Sequence, residues 1–220
     1  MHKSYKLSEY LYLMPEQAKT QKIRAYRGFK GPQISNYPKI LEEDRRPLTF
    51  FQVSELITTR DEEFFLFAKY LLTHSLDTRD GIAYHPSGKI KICLDPEPLL
   101  KLNNLSKLEK GALVISKEEY DFLDGEEYAF SEIKNAIFLK ESVRKLLLRG
   151  EKGMSLGNLV LDYNYLKNPS ENILLRNLNL GTKNQGNILD GSLSLNREGG
   201  YMIGKLLDTI KKLHIGEKYF

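Results

Sequence analysis

The chain has 220 residues, 41% of them hydrophobic, with 16 glycines, which suits one globular domain able to bury a substantial core. It contains neither an apolar run of about 18 residues nor a basic-then-apolar leader, so composition speaks against transmembrane and secreted classes. Cys93 is the sole cysteine, which excludes an internal disulfide and fits a reducing cytosol.

The net charge of +4 is unevenly spread: residues 1–39 hold eight basic residues against Glu9 and Glu16, a local balance of +6. Tyr5, Tyr10, Tyr12, Tyr26, Phe29 and Tyr37 are interleaved with that charge. Such a mixture can clamp phosphates while aromatic faces stack on bases, which makes Lys19, Lys22, Arg24, Arg27 and Lys30 the expected nucleic-acid-binding set. The competing reading is a solvated basic face: Leu7, Tyr10, Leu11 and Met14 form a helix-like stripe, and Lys22 to Phe29 alternates in part like a strand. Gly28, Gly31, Pro32 and Pro38 are expected to interrupt regular structure. Residues 42–47 then read as a solvated connector, and Leu48 to Ile57 as a short amphipathic helix.

Thr59 and Glu62 form a capping box, with Asp61 and Glu63 beside them in the first turn. Phe64, Phe67, Ala68, Leu71 and Leu72 follow at helical spacing, so a buried helix is expected. Ile82 and Tyr84, the turn His85-Pro86-Ser87-Gly88, then Ile90, Ile92 and Leu94 predict a hairpin with one apolar face packed on that helix. Helix, turn, helix and hairpin is also the order of a winged helix-turn-helix, but Asp61, Glu62 and Glu63 would meet phosphate at the recognition position.

Asp95 is expected to cap a helix carrying Leu99, Leu102, Leu105 and Leu108 and ending at Gly111. Ala112 to Ile115 reads as a strand. Ser116-Lys117-Glu118-Glu119 is a second capping box, starting a helix that stops near Gly125. Ser131 begins another predicted helix, through Leu148 to Gly150, within which Ala136 to Leu139 could instead be a strand.

Beyond Gly150, residues 158–196 contain nine asparagines. Three related apolar phrases begin at Asn158, Asn172 and Asn187. They predict a meander of short strands rather than a solenoid. Met202, Ile203, Leu206, Leu207 and Ile210 predict a closing helix with Lys211, Lys212 and His214 at its end.

No motif assigns a reaction. His2, His74, His85 and His214 are scattered, so no zinc site is expected, and Cys93 in a strand reads as packing. Gly181-Thr182-Lys183-Asn184-Gln185-Gly186 lacks phosphate-loop spacing. Asp162-Tyr163-Asn164 with Lys167, or Glu97 with Lys101, supplies the residue types of a metal-dependent nuclease without its carboxylate pattern. Ala25-Tyr26-Arg27-Gly28 resembles the first-strand Y-R-G of arginine-serine-glutamate ADP-ribosyltransferases, where the arginine binds NAD phosphates. The likeness covers four residues and implies Arg27 as a phosphate ligand. The family's remaining parts have poor counterparts, since Ser192 and Ser194 come late and Glu126-Glu127 lacks the intervening residue.

These readings combine into an α+β fold: a mainly helical region, residues 1–150, containing the hairpin, and a strand-rich region, 151–220, closed by a helix within the same domain. The expected function is that of a cytoplasmic binding or interaction protein with no metal and no cofactor. Nucleic acid or another polyanion is the expected partner at the basic segment, with a protein as the other candidate. The lysine-, asparagine-, isoleucine- and tyrosine-rich composition points to a virus, a mobile element or a defence system. The alternative is an enzyme whose site assembles only in three dimensions, either a nucleotide-dependent transferase or a nuclease.

Overall fold

A computed structural model describes residues 25–50, 52–53, 76–129, 156–162, 165, 167–183 and 186–207. In chain order the elements are β1 (Tyr26–Lys30), α1 (Gln33–Glu42), β2 (Arg45–Pro47), β3 (Leu76–His85), β4 (Lys89–Cys93), α2 (Glu97–Leu100), β5 (Leu108–Glu109), β6 (Ala112–Ile115), α3 (Lys117–Phe122), β7 (Gly125–Ala129), β8 (Leu156–Val160), β9 (Ile173–Lys183), β10 (Gly186–Asp190) and β11 (Tyr201–Leu206). The expected helix-rich fold is therefore corrected: the described residues form two sheets with short helices packed on them, a largely β architecture.

The large sheet runs β5-β6-β9-β3-β4-β7, and β10 joins it beside the far half of β9 and pairs in parallel with β8. The small sheet runs β1-β11-β2, antiparallel throughout. Helix α1 packs on the small sheet while α2 and α3 lie over one face of the large one, and Tyr37, Leu99 and Tyr120 share a core with Ala83, Cys93, Leu113 and Leu175. Burial raises the Cys93 thiol to about 12, so it stays protonated and acts as core packing.

The hairpin forms at the expected turn. Ile82 pairs with Ile92 and Tyr84 with Ile90, all four buried, and the Gly88 amide donates to the His85 carbonyl at 3.0 Å. Its strand begins earlier than expected, at Leu76. It is no free wing, because β3 also pairs with β9, and β4 with β7. The phenylalanine-rich helix, its Thr59 capping box and the helix expected from Ser131 lie outside the described residues. The Ser116 box forms in full: Ser116 Oγ accepts from the Glu119 amide at 3.1 Å, and Glu119 Oε2 accepts from the Ser116 amide at 2.7 Å.

Three expected features are replaced. Asp95 does not cap α2, whose N-cap is Pro96, and that helix stops at Leu100. The rest of the leucine-spaced segment becomes β5 and a turn, which leads into the expected strand over Ala112 to Ile115, β6. Lys110 and Gly111 have φ of 50° and 74°, the two positive values that a two-residue hairpin turn requires. Over its described part the expected closing helix is instead strand β11, whose alternation sends Met202 and Gly204 to one face and Tyr201, Ile203 and Lys205 to the other; Ile210, Lys211, Lys212 and His214 lie outside the described residues. Conversely, residues 33–42, expected to be irregular, form α1 despite Pro38, because Gln33, Asn36, Tyr37 and Ile40 bury one helical face. Arg45–Pro47, within the expected connector, is strand β2.

The three asparagine-led phrases fall on strands β8, β9 and β10 as expected, but not as a meander: β9 and β10 form a hairpin, β8 pairs in parallel with β10, and β9 runs between β6 and β3. Thr49 and Gln52 bond reciprocally at the start of the segment expected to be helical from Leu48, where the Val53 amide donates to the Thr49 carbonyl at 3.0 Å. Among the described residues no helix is long and apolar enough to cross a membrane.

Gly88 has φ +79°, and a Cβ added there would meet nothing within 4 Å, so its requirement is conformational rather than steric. Gly88→Val should lower unfolding stability by about 1 kcal/mol or more in urea titrations, and Gly88→Asn by less, because asparagine tolerates the left-handed region.

Candidate nucleic-acid interface

The small sheet brings together charges that are far apart in the chain. Register places Tyr26 opposite Lys205, and Lys205 opposite Arg46, so the three form one row across the sheet. Lys30 pairs with Tyr201 in a second row on the same face, four residues further along β1. At about 3.3 Å per residue the two rows are roughly 13 Å apart. Lys30 and Arg46 are exposed, while Tyr26, Tyr201 and Lys205 are half-buried. Lys205 Nζ lies 5.9 Å from the Tyr26 ring centre, within reach of a cation–π contact. Between the rows, Ile203 is buried, so the cations surround a covered apolar centre rather than an open platform.

Of the expected binding set, Lys30 lies on this face. Arg27 lies on the opposite one, beside α1, where Nη1 meets Glu43 Oε1 at 2.7 Å and the guanidinium sits 5.4 Å from the Phe29 ring centre. Lys19, Lys22 and Arg24 lie outside the described residues. Sequence reasoning missed Lys205, Arg46 and Tyr201. The signal for two of them was present in the alternation of Tyr201, Ile203 and Lys205 through a segment whose apolar spacing, from Met202 to Ile210, favoured a helix.

A buried polar junction fixes this sheet to the large one. Three residues of β3, Thr78 to Asp80, stand opposite the single residue Leu178 of β9, a bulge that turns the β3 backbone toward β2. There the Arg79 amide donates to the Leu48 carbonyl at 3.0 Å, and the Leu48 amide donates to the Ile203 carbonyl of β11 at 3.0 Å. Asp77 accepts from the Tyr201 amide at 3.1 Å, from Asn179 Nδ2 at 2.7 Å and from Arg197 Nη2 at 3.2 Å. Asp80 accepts from the Phe50 amide at 2.5 Å and the Asp95 amide at 3.0 Å.

Asp95 sits in the left-handed region at φ 48°. Its carboxylate lies 3.0 Å from Arg79 Nε and 3.6 Å from Arg46 Nη2, so one wall of the basic face is tethered through an ion pair. The Arg79 contact is electrostatic, being off the line of a hydrogen bond. Partial burial raises the Asp95 carboxyl against the opposing pull of Arg79 and Arg46. Arg46 therefore meets any added anion in competition with Asp95.

The residues suggested for enzymatic chemistry have separate places and partners. Glu127, on β7 of the large sheet, accepts from Lys89 Nζ at 2.7 Å and from the Tyr120 hydroxyl at 2.8 Å, which hold its carboxyl low. Arg27 is in the small sheet. Asp162 pairs with the buried Arg176 at 2.7 Å, while Arg176 also donates to the Ser192 and Lys110 carbonyls. Glu97 pairs with Lys101 one helical turn on, at 2.8 Å. Among the described residues no three His, Cys, Asp or Glu side chains converge as a metal site.

Asp80 is fully buried, and desolvation lifts its carboxyl from 3.8 to about 6 against the stabilising pull of the two amides. The native state then holds a proton that the unfolded state releases between those values, so Asp80's contribution weakens as pH rises from about 4 to 6. Relative to Asp80→Asn, wild-type unfolding free energy should fall by on the order of 2 kcal/mol between pH 4 and 7, measured by denaturant titration at each pH.

Comparison with protein-family models, with curated proteins and with solved structures gives no match.

Proposed function

We propose that the chain is a cytoplasmic binding protein that takes a polyanion, a single-stranded nucleic acid, along the basic face of its small sheet. The observation that carries this reading is the convergence of Lys30, Arg46 and Lys205, from three separate strands, onto one sheet face beside Tyr26 and Tyr201. Phosphate contacts of this kind are sequence-independent and release condensed counterions. The half-buried tyrosine edges lie beside the cations, where a base can follow a phosphate. The covered centre at Ile203 favours backbone tracking along the rim over deep readout of bases.

The test is fluorescence anisotropy with a labelled oligothymidylate and its RNA counterpart across a salt series. Changing Lys30, Arg46 and Lys205 together to glutamine should weaken binding by about tenfold or more and flatten the log-affinity against log-salt slope by about 2, three lost contacts at roughly 0.7 each. A control variant, Lys101→Gln with Lys110→Gln, should leave both unchanged. An unaltered slope in the triple variant would remove the site from this face, and no binding of wild type at low salt would remove nucleic acid as the ligand.

A further inference from the structure

On the side of the molecule where α2 and α3 come together, a groove of about 350 Å³ runs between these helices and the Leu94–Pro96 segment. Its walls are fixed from below. The Leu94 amide donates to the Asp124 carbonyl at 3.1 Å, while Leu99, Tyr120 and Leu123 anchor both helices in the core. The Ser116 capping box sets where α3 begins, and hence where its last residue, Phe122, stands.

Two properties of the groove point the same way. Phe122 lines it yet is 88% exposed, a large aromatic ring presented to solvent beside Pro96 and Pro98. Around that apolar lip the charge is one-sided: Asp95, Glu97, Glu118, Glu119 and Asp124 against Lys101. Part of this charge has internal work. Asp95 is held by Arg79 and Arg46, Glu97 by Lys101, and Glu119 by the Ser116 amide. Glu118 and Asp124 are exposed, and they flank Phe122 and Leu123 in sequence and along the groove. Glu118 is held below the usual carboxylate range by a backbone amide and Ser116, so it is ionised at neutral pH.

We infer that this groove is a docking site for a cationic peptide segment of a partner protein, one that seats an aliphatic or aromatic side chain against Phe122 while flanking lysines or arginines meet Glu118 and Asp124. Charge selects the occupant. A nucleic acid or an acidic peptide would be repelled by the rim, and a neutral apolar segment would leave its carboxylates without counterparts. The aromatic supplies most of the contact energy, as a ring brought from full exposure to burial does at an interface centre, and the carboxylates supply orientation and salt sensitivity. The site is separate from the basic sheet face and meets it only at Asp95, which lines the groove and pairs with Arg46.

Because the chain contains no tryptophan, a peptide carrying one reports binding through its own fluorescence without background. The probe is acetyl-Lys-Lys-Leu-Trp-Lys-Lys-amide, titrated with the full chain, beside the counterpart in which every lysine is glutamate. The lysine peptide should bind at submillimolar concentration, weaken as salt rises, and bind at least about tenfold more tightly than the glutamate peptide. Phe122→Ser should weaken it by about tenfold, and Glu118→Lys with Asp124→Lys by at least as much. All three positions are exposed, so the variants should retain the wild-type melting profile; Phe122→Leu, which keeps an apolar contact, should restore most of the affinity. Failure of the lysine peptide to bind at about 1 mM would overturn the inference. So would equal binding of both peptides, or affinity unmoved by the serine and charge-reversal variants.

Discussion

A buried carboxylate with two backbone amides on it is the constraint on which the described fold depends. Asp80 cannot solvate its charge, and the amides of Phe50 and Asp95 are its compensation. Each belongs to a different segment: one continues from the small sheet, and the other opens the turn into α2. The carboxylate therefore holds three stretches of chain at one point, and a buried hydrogen-bond acceptor of this kind is costly to leave unmatched. The bulge around it is the geometric counterpart. Three residues of β3 occupy the space of one on β9, freeing backbone groups that would otherwise continue the ladder to bond Leu48 instead.

From this junction the two surfaces acquire their relation. Asp95 contributes its amide to Asp80 and its carboxylate to Arg79 and Arg46. The same residue lines the acidic groove. Basic sheet face and acidic groove thus adjoin through a single residue in a left-handed conformation. A ligand that draws Arg46 away from Asp95 leaves Arg79 as its remaining ion-pair partner and adds negative potential at the groove's inner wall.

What was legible in the sequence was local. The Gly88 turn and the Ser116 capping box are specified by residues within four positions of one another, and both form as their spacing predicts. Alternation identified the hairpin's apolar face for the same reason, and short apolar phrases between asparagine-rich turns marked three strands. What failed was anything decided by a distant partner. Tyr201 to Leu206 carries both a helical spacing of apolar residues, Met202, Ile203 and Leu206, and a strand alternation, and only pairing with β1 on one side and β2 on the other selects the strand. Lys110-Gly111, by contrast, looks like a helix end for a local reason, because the leucine spacing up to Leu108 hides the short strand β5 that pairs with β6. The candidate site inherits that limit. Lys30 was visible as part of a basic tract, whereas Lys205 and Arg46 join it only through sheet register. Arg27, visible in the same tract, is turned to the opposite face and matched by Glu43.

The small sheet has a further consequence, for the order in which the chain can assemble. Its central strand, β11, comes more than 150 residues after β2, so neither edge strand has its neighbour until nearly all the described sequence has been synthesised. Closing so long a loop costs entropy before any ladder bond is gained, which makes this sheet a late and slow event relative to the β3-β4 and β5-β6 hairpins. During translation β1 and β2 wait for their central strand with tyrosine, phenylalanine and arginine side chains exposed. Until β11 arrives their unpaired edges are open to pairing with another copy of the chain.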